Sequence, residues 1–109
     1  MLTTNQLLSE LRTSVEELYS PKVQLEMERQ PESVKQQFLK QRAQTSNYLH
    51  NLETQELKKL VEKMKPLESE LKKAIQDLNR ELQSINNTVK FISSINAVTR
   101  VLARLVMIF

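Results

Sequence analysis

The sequence predicts an all-α protein, arranged as a long antiparallel helical hairpin or an up-and-down bundle of three to four helices with coiled-coil-like packing. Three observations lead there. The 109 residues include no Gly and only three Pro, so turns that need φ > 0 are scarce and hairpin-rich β folds are disfavoured. Glu, Gln, Lys, Leu and Arg dominate, and all are strong helix formers. From Leu57 to Phe109 apolar residues recur in fifteen steps over 52 residues, about 3.5 residues per step, which is the coiled-coil period.

The elements follow in order. Thr4 or Asn5 caps a first helix over about 5–19, with Leu8, Leu11, Val15 and Leu18 at helical spacing. Ser20-Pro21 ends it, because Ser caps and Pro suits a first helical turn. Residues 20–33 read as a connection with room for a turn or two of helix around Val23, Leu25 and Met27. A helix over about 33–64 buries Val34, Phe38, Thr45, Tyr48, Leu49 and Leu52, and Gln41 and Gln44 dilute that face.

Residues 66–108 form one helix or kinked helices. Lys65-Pro66 favours a kink or a new start, since Pro lacks an N–H and disfavours helix at the residue before it. Lys58, Lys59, Lys63 and Lys65 before that point and Glu68 and Glu70 after it suit the dipoles of a helix end and a helix start. Asn86-Asn87-Thr88 offers a second break, while the unbroken spacing Ile85–Val89–Ile92 argues for continuity. Both possibilities stand at this level. Length alone favours a single helical domain over 1–109.

Composition excludes several kinds of chemistry. There is no Cys, hence no disulfide, thiolate metal site or cysteine nucleophile. Absence of Gly removes Gly-rich phosphate loops. His50 is the only histidine, with Glu53 three residues on. A di-metal bundle wants paired Glu-x-x-His units, and one reversed His-x-x-Glu reads instead as a solvated helix face. Glu16-Glu17 points to two different faces and makes no acid–base dyad. The expectation is a protein that is not an enzyme, with no catalytic, metal or cofactor-binding residues and no small-molecule substrate.

Charge is segregated along the chain. Residues 1–32 hold six acids and three bases, 33–81 hold ten bases and seven acids, and 82–109 hold Lys90, Arg100 and Arg104 with no acid. Opposite-signed ends favour antiparallel packing or head-to-tail contact. The lysines at 58, 59, 63, 65, 72 and 73 are interleaved with Glu56, Glu62, Glu68 and Glu70. The pairs Glu56–Lys59, Glu62–Lys65, Glu68–Lys72 and Glu70–Lys73 fit an exposed helix, so a nucleic-acid partner is not expected. The start MLTTNQLLSELR lacks a basic, then long apolar, signal-peptide pattern, and no run reaches about eighteen uninterrupted apolar residues. A cytoplasmic location is expected.

Function rests on the apolar seam. The first helix spans only about 15 Å from Leu8 to Leu18 at 1.5 Å per residue, too short to cover the whole run from Leu57. The sequence therefore predicts that another copy or a helical protein completes it. The expected interface is Leu78, Leu82, Ile85, Ile92, Ile95, Val98, Leu102, Leu105 and Phe109. The alternative is a peripheral membrane protein, or an accessory of a membrane-active system. In that reading 89–109 meets lipid, with Lys90, Arg100 and Arg104 at the headgroups and Phe91, Ile92, Ile95, Val98, Leu102 and Phe109 in the acyl boundary.

Overall fold

Helix formation starts at Thr3 in the computed structural model, which describes residues 3–109. The Thr3 hydroxyl accepts from the Gln6 N–H at 3.2 Å, and Gln6 Oε1 accepts from the Thr3 N–H at 2.8 Å. This capping box opens α1 (Thr4–Leu18) one residue before the caps expected from sequence. Only Thr3 has a glutamine three residues on to return the bond; Thr4 and Asn5 would have Leu7 and Leu8 there. The buried stripe is Leu7, Leu11, Ser14 and Leu18, with Val15 beside it and Leu8 half-buried on the flank it shares with Val15. Ser14 tolerates burial because its hydroxyl lies 2.6 Å from Asn79 Oδ1 and 3.1 Å from the Glu10 carbonyl.

The connection expected over 20–33 contains α2 (Pro21–Glu28), capped by Ser20, whose hydroxyl accepts from the Val23 N–H. Val23 and Met27, four apart, are buried, and Leu25 points to solvent. Next comes α3 (Glu32–Glu53), which buries Phe38, Thr45, Leu49 and Leu52 and half-buries Val34 and Tyr48.

A single helix over 33–64 is not formed. The Thr54 N–H bonds back to the His50 and Asn51 carbonyls and its hydroxyl donates to Asn51 O at 2.7 Å, which closes the last turn. The chain then turns, and α4 (Leu57–Met64) folds Leu60 and Met64 onto the core. A 3-10 turn at Lys65–Leu67 carries Pro66, and α5 (Glu68–Gln83) begins with Glu68 and Glu70 in its first turn.

The stretch 66–108 is two helices. Ser84 is extended, and the Asn87 side chain accepts from the Lys90 N–H at 3.1 Å to cap α6 (Thr88–Ile108). That break resets the helical phase. Phe91 becomes the first core anchor of α6, while Val89, expected in the seam, is exposed.

Side-chain ties fix the helix directions. Arg12 meets Glu53 and Arg42 meets the Leu18 carbonyl, so α1 and α3 run antiparallel. Phe38 stacks on Phe91 with centroids 5.9 Å apart and Thr45 bonds Thr99 at 2.7 Å, so α3 and α6 run parallel. Ser14 meets Asn79, and Asn5 shares a groove with Glu68, so α1 and α5 run parallel. The short link 84–87 turns α6 back along α5, and Arg104 reaches Glu70. Thus α2 sits where α1 and α5 end, its Lys22 donating to the Gln83 carbonyl, and α4 sits at the opposite end.

The architecture is all-α. Among the described residues there are six α-helices, one 3-10 turn and no strand. This exceeds the three to four helices expected because α2 forms within the connection, Thr54 ends α3 and Asn87 starts α6. The buried apolar residues form one contiguous core, 43 × 25 × 20 Å in extent for the whole backbone. Met1 and Leu2, part of the range 1–109 expected as one domain, lie outside the described residues.

Two polar clusters lock helix pairs. Arg42 donates to the Leu18 carbonyl at 3.3 Å and to Gln24 Oε1 at 2.8 Å. Its guanidinium lies over Tyr19 and Phe38, 4.3 and 5.0 Å from the ring centroids. One side chain therefore joins α1, α2 and α3, in the way a planar cation can and an ammonium cannot. Inside the core, the Thr45 and Thr99 hydroxyls bond each other and share their protons with the Gln41 and Ile95 carbonyls.

Candidate interaction surfaces

The nine residues expected at an interface divide sharply. Leu78, Leu82, Ile92, Ile95, Val98, Leu102 and Leu105 are buried within this one chain. Ile85 is half-buried against the same core and Phe109 is 41% exposed. The seam is covered by α3 and α5 around α6, with α1 on α3 and α5 and α4 at the end. The covering partner expected from another copy is thus supplied internally for seven of the nine. The expectation failed because the α3 face, diluted by Gln41 and Gln44, was discounted as a partner and the seam folds on itself; α3 and α5 both lie along α6.

The same geometry corrects the lipid set expected on α6. Phe91, Ile92, Ile95, Val98 and Leu102 face inward. By length and composition α6 is apolar enough to cross a membrane, yet half of that window is buried inside the fold.

What α6 does present outward is a ridge. Val89 is 79% exposed and Met107 is 85% exposed, with Ser93, Ala97, Arg100 and Arg104 exposed between them at steps of three and four. The ridge has no acid. Arg104 is engaged by Glu70, and Asn96, with its amide oxygen turned toward Arg100, accepts from that guanidinium at 3.2 Å. Beside the ridge an open groove of about 280 Å³ runs between α3 and α6, floored by Val34 and Ile92 and edged by Gln37, Gln41 and Asn96. The Gln41 side-chain oxygen is buried with no hydrogen-bond partner.

A second surface lies at the α4 end, which sequence reasoning missed. Leu57, where the expected seam begins, is 48% exposed, and Val61, one turn on, is 37% exposed. Leu57 lines two open grooves, one of about 430 Å³ against α1 and the end of α3, the other of about 290 Å³ beside Thr4, Val61 and Lys65. The four glutamate–lysine pairs expected over 56–73 form no ion pairs among the described residues; Glu70 turns to Arg104 instead. That contact holds the Glu70 carboxyl below its ordinary value, the Arg104 hydrogen bond being the largest cause. Glu32 is also lowered, first by the Gln36 hydrogen bond and then by Lys35.

The candidate chemical residues stay apart. His50 is exposed on α3, and Glu53, its helical neighbour, pairs with Arg12. No cluster of three metal-ligating side chains occurs among the described residues. No protein-family model, curated protein or solved structure matches this chain.

Proposed function

We propose that this chain is a non-enzymatic helical interaction module: an up-and-down bundle of its four long helices with coiled-coil-like packing, which offers the outward ridge of α6 to another helix. A second copy of the chain is the simplest partner, in a cytoplasmic setting. One observation carries the reading. Val89 and Met107 stand exposed at the two ends of a ridge that holds Ser93, Ala97, Arg100 and Arg104 and no acid between them. Its 18 residue steps span about 27 Å, a length suited to pairing with one helix. Ser93 and Ala97 allow close backbone approach, and the exposed amide of Gln37 beside them both donates and accepts, so it complements a like face.

The test is sedimentation equilibrium of the chain beside Ala97→Glu. Ala97 is exposed, so the substitution leaves helicity unchanged while placing a carboxylate in the centre of the ridge. The expected result is a self-associating wild type and a monomeric variant. Identical association in both, or a wild type that stays monomeric at high concentration, overturns the homotypic reading.

A further inference from the structure

We infer that the α4 end of the molecule is a docking face for an anionic lipid surface. The inference is independent of the α6 ridge and rests on what α4 leaves outside the core. Leu60 and Met64 face inward. Lys58, Lys59, Lys63 and Lys65 are all exposed, and none enters an ion pair among the described residues. Glu56 and Glu62 are the only acids within 56–67, so this stretch is net +2. Exposed apolar side chains accompany that charge: Leu57 and Val61 on α4 itself, and Ile108 in the last turn of α6, which packs at the same end.

The combination selects the partner. Lysines alone attract any polyanion, but an oligonucleotide has no use for exposed Leu, Val and Ile, and no Arg or aromatic interleaves these lysines as nucleic-acid surfaces require. An anionic bilayer satisfies both parts. Aliphatic side chains enter the acyl boundary, and ammonium groups on flexible stems remain at the headgroups. The bundle would stand on the membrane by its α4 end, leaving the α6 ridge free along its side. This differs from insertion of α6, whose apolar face is already used in the core.

Each lysine near an anionic surface strengthens binding roughly fivefold. The experiment is co-sedimentation of the full chain with vesicles of phosphatidylcholine alone and of phosphatidylcholine with phosphatidylserine, at low and high salt. The wild type is expected to bind the phosphatidylserine vesicles at low salt, and to lose them at high salt. Lys58→Gln with Lys59→Gln should weaken binding about 25-fold, and Val61→Glu should abolish it with helicity retained. Ala97→Glu, remote from α4, should bind vesicles as the wild type does even if it disrupts association, which separates failure of this inference from failure of the ridge. No binding to phosphatidylserine vesicles at low salt overturns the inference. So does binding that is indifferent to the α4 substitutions, or binding to a duplex oligonucleotide in place of vesicles.

Discussion

Leu102→Ala puts the assignment of the seam to the chain's own core under direct strain. Leu102 is fully buried on α6, and alanine is the best helix former, so the substitution removes packing without harming the helix. Leu→Ala at such sites costs about 2–5 kcal/mol, more where neighbours cannot collapse into the space. Leu102 lies on the helix that packs on both α3 and α5, which leaves little room to collapse, and we expect about 3 kcal/mol. A 109-residue chain has roughly 5–16 kcal/mol in total, so the loss is a large fraction and lowers Tm by about 12 °C. Met107→Ala, on the same helix but exposed, should stay within about 0.5 kcal/mol of wild type. The assay is urea unfolding followed by circular dichroism, repeated after tenfold dilution. A core residue costs the same at both concentrations. Were Leu102 held by a second copy, dilution would change the difference between variant and wild type by up to about 1.4 kcal/mol. A concentration-dependent cost, or equal costs for Leu102→Ala and Met107→Ala, refutes the assignment.

Three further outcomes follow from particular contacts. Arg42→Lys keeps the charge but loses the planar stack on Tyr19 and Phe38 and the fork to Leu18 and Gln24; it should cost about 1–2 kcal/mol in urea unfolding, and a neutral result would remove the clamp from the account. Asn87→Ala deletes the cap that starts α6 and should cost about 1 kcal/mol, with Asn87→Ser restoring most of it. Glu70 should titrate below the ordinary 4.5 by NMR, and Arg104→Gln should return it toward that value while Glu32 stays put. A lowered folded pKa means that the stabilisation is complete above the unfolded value and fades as pH falls through the folded one. An unchanged Glu70 midpoint in Arg104→Gln would show that the contact is absent in solution.

The helical character and most core positions could be read from residue spacing. Phe38, Leu49 and Leu52 on α3, and Leu71, Ile75, Leu78, Ile95, Val98 and Leu102 later, are buried as the periodicity implies. The period of about 3.5 was gathered across links at 65–67 and 84–87; burial keeps its register through the first, from Leu60 and Met64 to Leu67 and Leu71, but the second resets the helical phase. Val89 fits the averaged count but the phase of α6 turns it outward, while Leu57 shares the stripe of Leu60 and Met64 and is exposed as the first residue of α4. Thr54 gave little warning, because its N–H bonds to His50 and Asn51 need no particular residue type and a threonine hydroxyl can bond back to a carbonyl inside a helix as well as at its end. The candidate surfaces were less legible still. The α6 ridge and the α4 end are defined by what the core does not use, and that is settled only once α1 and α3 take their places. The Glu70–Arg104 tie spans 34 residues and competes with a local Glu70–Lys73 pair that spacing alone favoured.

In this fold one chain closes its own core. Far-ultraviolet circular dichroism of the wild type, followed through serial dilution to well below the dissociation constant of any self-association, tests this most directly. Retained helicity at the lowest concentration is the predicted result; the melting midpoint falls only by what ridge pairing adds through mass action. Loss of helicity on dilution would mean that a second copy completes the seam after all, and would contradict the assignment of Leu78, Ile95 and Leu102 to the interior of a single chain.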